Sequence, residues 1–425
     1  MWILTSFFAA TTVLMMWLCA VYFVSLCFLS FFRKRSVPPL PDEYPMLSVI
    51  VPCYNEAAFI LQKLENLRSC RYPRDRLEIV FVDGGSTDGT VDRLNRAISS
   101  DPSVRLVCSA QKGKINQLNL ALPTLRGDYV VNTDADAMLR PDALMQIAAE
   151  FAFDPRAWVV GAYSYSSSAI WRDLCFWDSQ NRGRLIESDA YSSSIVIATC
   201  YAFRRELLSS FPEDVLADDV YVAFLANSLG HRVVYSRQAI VEELRGPTCI
   251  SDFLSHKFRK NNAFLRESLR FLYRLPEMDG FRKMMMLTRI GQQLLLPWAA
   301  GLWSILALTM LTLGRLDLMS VAAASIALVI MITNRAFHSV EVPRGTTKRF
   351  GPYKHGVVFL DTMFVLFAAA LSYPFFRQGC SYSRLGAKRD ADNAEKIDVV
   401  PPVQRESRLP QIPAPTLGLR PLAAS

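Results

Sequence analysis

The chain has 425 residues, of which 51% are hydrophobic and 20% charged, with a formal net charge of +8. That length accommodates one large globular domain plus lipid-embedded segments, and the hydrophobic share makes a membrane protein the first expectation. The modest positive charge, with no Lys/Arg stripe interleaved with aromatics, argues for anionic lipid or a phosphorylated ligand and against a nucleic acid.

Residues 2 to 32 contain no charged side chain, and about 20 apolar residues suffice for a helix to cross the hydrocarbon core. This reads as a spanning segment; a cleaved signal peptide would have a basic start and a shorter apolar core. Arg33, Lys34 and Arg35 follow at once, so the chain is expected to enter the cytoplasm there. A proline-rich tether, "SVPPLPDEYPM" (36 to 46), leads to a long mixed region. Nine cysteines are scattered without Cys-x-x-Cys spacing, which indicates neither a zinc site nor a disulfide framework and fits reduced cytosolic thiols.

From Leu47 short apolar runs such as "LSVIVP", "LEIVFVD", "DYVVNTD" and "AWVVGAYS" alternate with amphipathic stretches such as "AAFILQKLENLRSC" and "PDALMQIAAEF". Continuously apolar runs of five or six residues predict a parallel sheet covered on both faces, hence a doubly wound α/β domain over 47–279. Near residue 280 the character changes. "GFRKMMMLTRIGQQ" (280 to 293) mixes basic and methionine-rich character as an interfacial helix would, a soluble core helix being the other reading. Span candidates follow at 294–313, at 318–333, which is short, and at 357–376, which carries Asp361 and Pro374. The chain thus divides into a span (1–35), a tether (36–46), a cytosolic α/β domain (47–279), an interfacial helix with further spans (280–376) and a proline-rich, charged tail expected to be disordered (377–425). If all four segments cross, the basic tail ends opposite the cytosol, against the positive-inside tendency. One C-terminal segment is then re-entrant or interfacial, or the tail is exported.

Ligands of open parallel sheets bind beyond the carboxyl ends of the strands, and there the acidic groups accumulate. "VIVPCYNE" ends in Glu56, "EIVFVDGG" runs through Asp83, and "YVVNTDAD" ends in Asp134 and Asp136. Residues two apart on a strand share a face, so the last two carboxylates are expected side by side. Adjacent anions at the rim of a buried sheet repel unless a cation offsets them, and Mg2+ or Mn2+ suits oxygen ligands that keep room for phosphate oxygens. "VDGGSTDGT" (82 to 90) supplies a flexible turn, and "QKGKINQLN" (111 to 119) places Lys112 and Lys114 around Gly113. Each alone reads equally as an ordinary strand-to-helix turn or a solvated basic loop. "VLADDVYVAFLANSLG" (215 to 230) begins with Asp218 and Asp219, which helix-dipole electrostatics alone would explain.

Taken in order, Tyr-Asn-Glu, Val-Asp-Gly-Gly-Ser-Thr-Asp-Gly-Thr, Lys-Gly-Lys with Asn119, Asp-x-Asp and Ala-Asp-Asp resemble the family 2 inverting glycosyltransferases over roughly residues 47 to 275. With its flanking spans the chain is similar to membrane-embedded members, the hyaluronan and cellulose synthases and bacterial exopolysaccharide enzymes. The resemblance implies a GT-A type nucleotide-sugar-binding domain at a bacterial inner or plasma membrane. It also implies a sugar nucleotide donor, a saccharide or lipid-linked acceptor, and Mg2+ or Mn2+. Carried over residue by residue, it makes Glu56, Asp83, Lys114, Asp134 and Arg259 contacts to the nucleotide sugar, and Asp134 and Asp136 the metal ligands. Asp219 falls at the catalytic base, with Asp218 where a glutamate is more usual. Asp218 and Arg204, the latter in "ATCYAFRREL" (198 to 207), fall on the acceptor side. Processive members carry Gln-x-x-Arg-Trp some forty residues after the base. Here "HKFRKNN" (256 to 262) keeps Arg259 but has His256 and Lys260 in place of glutamine and tryptophan. Two other classes answer to the same residues: a metal-dependent nucleotidyltransferase, and a membrane scaffold that kept the fold without the chemistry.

Overall fold

The computed structural model describes residues 2–32, 36–99, 101–346 and 350–375. The basic flank 33–35 and the tail 377–425 lie outside the described residues. At the centre is one eight-stranded sheet, with strands β1 (Leu47–Cys53), β2 (Leu77–Asp83), β3 (Val104–Cys108), β4 (Tyr129–Thr133), β5 (Ala137–Leu139), β6 (Ala157–Ser166), β7 (Cys200–Arg204) and β8 (Arg232–Glu243), in the order β3-β2-β1-β4-β7-β6-β8-β5.

β1 and β2 are buried at every position. Their side chains alternate between two cores. Val49, Val51, Ile79 and Phe81 pack with the helices Ile60–Arg68 and Ala143–Phe153. Ile50, Val80 and Val82 pack on the opposite face with the helices Lys114–Ala121 and Asp218–Ser228. Both faces are covered, as continuously apolar strands require.

The expectation of an all-parallel sheet holds for half of it. β3, β2, β1 and β4 are parallel to one another, but β7 runs antiparallel to β4 and β6, and β5 antiparallel to β8. A strand buried on both faces has the same apolar composition whichever way it runs, so its direction is not written in its hydropathy. Because β1 is followed by β2 on one side and by β4 on the other, a crevice opens at their carboxyl ends, where such folds take ligands.

The membrane-type helices are not a separate appendage. Tyr22, Phe23 and Leu26 of the first segment, and Met285, Met286 and Ile290 of the helix Gly280–Leu294, belong to the same core as Ile50 and Val80. Among the described residues three helices are long and apolar enough to cross a membrane: Trp2–Ser30, Leu316–His338 and Pro352–Ser372. A fourth crossing is possible by length if Gly280–Leu294 and Leu296–Thr312 act as one broken span, bent by 61°. Pro297 in the first turn of the second helix explains the bend, since its ring and missing N–H break the hydrogen-bond ladder. The segment expected to be short is a helix of 23 residues, and it exposes Val321, Ile330 and Met331, an apolar surface suited to lipid. Asp361, unusual in a span, pairs with Arg172 at 2.8 Å.

Candidate active site

The turn after β2 is fixed by Asp83, which is 2% exposed. Its Oδ2 accepts the backbone N–H of Gly85 at 2.8 Å and of Ser86 at 2.9 Å, and the Ser86 hydroxyl donates to Oδ1. Both oxygens of Asp83 therefore serve the turn itself. The turn is laced to the end of β1: Asn55 N donates to Ser86 Oγ at 2.7 Å, Thr87 N to Asn55 Oδ1 at 2.8 Å, and Glu56 N to Thr90 Oγ1 at 2.8 Å. Gln117 bridges the two strand ends, its Nε2 donating to the carbonyls of Cys53 at 2.7 Å and Val82 at 2.6 Å. A Cβ on Gly84 would come within 2.9 Å of that amide, which is why glycine stands there.

Asp134 and Asp136 lie in one turn and not on the face of a strand. β4 ends at Thr133 and β5 begins at Ala137, and Ala137 N donates to Asp134 O at 3.2 Å, so both aspartates lie in a tight turn. Lys114, which opens the helix Lys114–Ala121 just after Gly113 (φ 114°), donates to Asp134 Oδ1 at 2.9 Å and lies 3.1 Å from Asp218 Oδ2. On the other side Arg245 stands 3.5 Å from Asp136 Oδ2 and 2.8 Å from Glu56 Oε2. Glu56 is therefore engaged with Arg245 and joins the two-aspartate turn to the end of β1.

Asp218 and Asp219 open the helix Asp218–Ser228. Asp218, 4% exposed, accepts the hydroxyl of Tyr201 at 2.8 Å and the amide of Asn132 at 3.3 Å. It faces β4, β7 and Lys114, on the Asp134 side of the cluster. Asp219 is only partly covered. Desolvation and the neighbouring Asp218 push its carboxyl up to about 6, against the pull of Lys260 and Lys114. A carboxylate raised into that range is poised to take up a proton near neutral pH.

Arg204 lies apart from this cluster. β7 pairs antiparallel with β4, Arg204 opposite Tyr129 and Cys200 opposite Thr133, which puts Arg204 at the far rim from the aspartates. There its guanidinium donates to Ala157 O at 2.9 Å and lies against Tyr129, Phe151 and Trp158. Arg259 sits half-buried on the helix Ile250–Phe271. From that helix it is Lys260, 5.5 Å from the Trp177 ring, that acts on Asp219. His256 is buried, and desolvation with Lys260 and Lys257 close by holds its imidazole well below the usual range.

Sequence reasoning passed over Arg245, Tyr201, Lys63 and Glu243. Glu243, at the end of β8, is pushed up to about 7 by burial, with Asp136 and Asp173 adding to the shift. Lys63 is fully buried beneath the Asp134–Asp136 turn, and burial holds it down to about 8. Of these, Lys63 alone left a trace in the sequence. It occupies the apolar stripe Ile60, Lys63, Leu64, Leu67 of an amphipathic helix.

The donor chemistry suits a hard divalent cation only in part. Among the described residues no group of three His, Cys, Asp or Glu gathers to hold a metal by itself. Two carboxylates in one turn fit the other common arrangement, a cation shared between one or two carboxylates and the oxygens of a diphosphate.

A mixed α/β sheet with its acidic turn at the β1–β4 crevice defines a GT-A type fold. The same fold appears in the mannosyltransferase PcManGT from Pyrobaculum calidifontis, solved with GDP-Man and Mn2+, which is 26% identical, with a TM-score of 0.67 over 88% of this chain and 100% of that one. Residues 48–211 match the family model "Glycosyl transferase family 2", so the chain carries a domain of that family. The probable glycosyltransferase YdaM of Bacillus subtilis is 28% identical over 230 residues, 49% of this chain and 54% of YdaM. An N-acetylglucosaminyltransferase of Mesorhizobium japonicum is 25% identical over 252 residues, 55% of this chain and 59% of that protein. The chain thus matches somewhat more than half the length of these curated relatives.

Proposed function

We propose that the protein is a membrane-bound inverting glycosyltransferase that moves a sugar from a nucleoside diphosphate donor, UDP- or GDP-linked, to a saccharide or lipid-linked acceptor. The observation that carries this reading is the Lys114 ammonium set between Asp134 of the two-aspartate turn, at 2.9 Å, and Asp218, at 3.1 Å, with Asp219 the next residue in the chain. PcManGT, bound to GDP-Man and Mn2+ on the same fold, supports it.

In this reading Asp134 and Asp136 would hold Mg2+ or Mn2+ together with the donor diphosphate, and when bound the cation would supply positive charge to the phosphate oxygens. Lys114 adds a fixed positive charge beside Asp134, Asp83 shapes the loop that borders the nucleotide, and Arg259 lies in the neighbouring basic helix. The Asp219 carboxylate takes the proton of the acceptor hydroxyl as that oxygen attacks the anomeric carbon. The bond from that carbon to the diphosphate breaks, and its electron pair leaves with the nucleoside diphosphate. One base and one displacement invert the anomeric centre, so an α-linked donor gives a β-linked product. With the catalytic domain over 47–279 on the cytosolic side, the donor is at hand and the apolar helices hold the site at the bilayer, where a lipid-linked acceptor resides.

A screen of UDP- and GDP-sugars with detergent-solubilised protein tests the proposal. It expects release of a nucleoside diphosphate and a β-configured product by NMR. Release of pyrophosphate would identify a nucleotidyltransferase instead, and binding without turnover a scaffold.

A further inference from the structure

The Asp134–Asp136 turn needs more than two carboxylates to work, because a tight turn at the end of a short strand is free to shift unless its flanks are held. β5 has only three residues and is the last strand of the sheet, paired with β8 on one side. Its other edge meets the helix Ile60–Arg68. From that helix Lys63 Nζ donates to Thr133 Oγ1 at 2.9 Å and also to the carbonyl of Ala137. Thr133 and Ala137 are the residues immediately before and after Asp134-Ala135-Asp136. One turn further along, Asn66 acts as a substitute strand: its Oδ1 accepts Leu139 N at 2.9 Å and its Nδ2 donates to Leu139 O at 2.8 Å. The Thr133 hydroxyl passes the connection on, donating to Thr199 O at 2.9 Å, and the same carbonyl accepts Asp134 N at 3.2 Å.

Lys63 has no exposed surface. Packing alone would be served by an apolar side chain in that stripe, since burying an ammonium is costly without compensating partners. The charge lies below two carboxylates and relieves their mutual repulsion from the protein side, while its hydrogen bonds fix both ends of the turn that carries them. We infer that Lys63, assisted by Asn66, is a positioning residue that sets the spacing of Asp134 and Asp136 for a divalent cation held with a nucleoside diphosphate. The inference rests on the function proposed above.

The test uses full-length protein in detergent and follows free Mn2+ by electron paramagnetic resonance during titration, with UDP and in parallel with GDP. Lys63→Met, which keeps the side-chain length without the charge, is expected to weaken Mn2+ affinity in the nucleotide complex by about tenfold or more, with a folded circular dichroism spectrum. Asn66→Ala, at a partly exposed site and so safer for folding, is expected to weaken it by a smaller factor. A packing role alone would lower the unfolding temperature and leave Mn2+ affinity as in the wild type. Wild-type affinity in folded Lys63→Met overturns the inference, as does wild-type affinity in Asn66→Ala should Lys63→Met not fold. Wild-type protein that binds no Mn2+ with either nucleotide overturns the functional reading and this inference together. Wild-type binding with unaltered variants overturns this inference alone.

Discussion

Two buried ionic clusters in this molecule are built from the same kinds of residue and behave in opposite ways. Where the first apolar segment meets the elements around the central sheet, Glu187 accepts hydrogen bonds from Tyr22 Oη at 2.9 Å, Arg289 Nε at 2.8 Å, Ser194 N at 2.8 Å and Ser194 Oγ at 2.6 Å. Glu187 and Arg289 are directly paired there, while Arg184, close to both, is buried with its Nε and one terminal nitrogen unbonded. At the carboxyl rim of the sheet, Asp134, Asp136, Asp218 and Asp219 crowd around Lys114, Lys63 and Arg245, and the carboxyl of Asp219 is driven up to about 6. The direct Glu187–Arg289 pair and its hydrogen bonds make the first cluster a joint between the apolar helices and the sheet domain. Incomplete neutralisation makes the second a place that gains from a cation, a phosphate or a proton.

The contrast is broken most sharply at Asp219. Asp219→Asn is expected to lower the transfer rate by about 10²–10⁴-fold while nucleotide affinity, followed by calorimetry, stays near wild type; equal loss of both would remove the base role. In the other cluster, Arg289→Met leaves Glu187 buried without its cation. It is expected to cost about 3–5 kcal/mol of stability, read as a lower denaturant midpoint, and to leave nucleotide affinity unchanged in the protein that remains folded. A midpoint equal to wild type would show that the joint is ornamental.

Smaller effects sharpen the same distinction. The raised carboxyl of Asp219 has a direction: as a base it must be ionised, so kcat/KM is expected to fall as pH drops through about 6, above the ordinary carboxylate range. A limb near 4 would place the base elsewhere. Arg204→Met is expected to cost about 1 kcal/mol of stability through lost aromatic stacking and to leave the transfer rate unaltered. A large kinetic effect would return Arg204 to the acceptor side.

How much of this was legible from the chain follows from what each signal encodes. β1 and β2 were readable because both faces are buried and their runs are apolar throughout, and the positions of Glu56, Asp83, Asp134 and Asp136 at the carboxyl rim were readable because they stand at or just past the ends of such runs. The distance of Arg204 from the aspartates was not readable because it depends on strand direction, which a doubly buried strand does not disclose: β7 runs against β4, so its last residue lies at the far rim. The two aspartates were expected on a strand face, and the break between Thr133 and Ala137 turned that into a loop whose two ends are bonded by Lys63. Arg245 gave no local signal, since it lies 189 residues from the glutamate it pairs with.

The most direct test of the central claim is calorimetric titration of UDP and GDP into detergent-solubilised protein, with and without Mn2+, for wild type and Asp136→Ala. The expected result is nucleotide binding strengthened by Mn2+ in the wild type, with that strengthening reduced at least about tenfold in the variant. Nucleotide affinity indifferent to Mn2+, or identical in the two proteins, would contradict it.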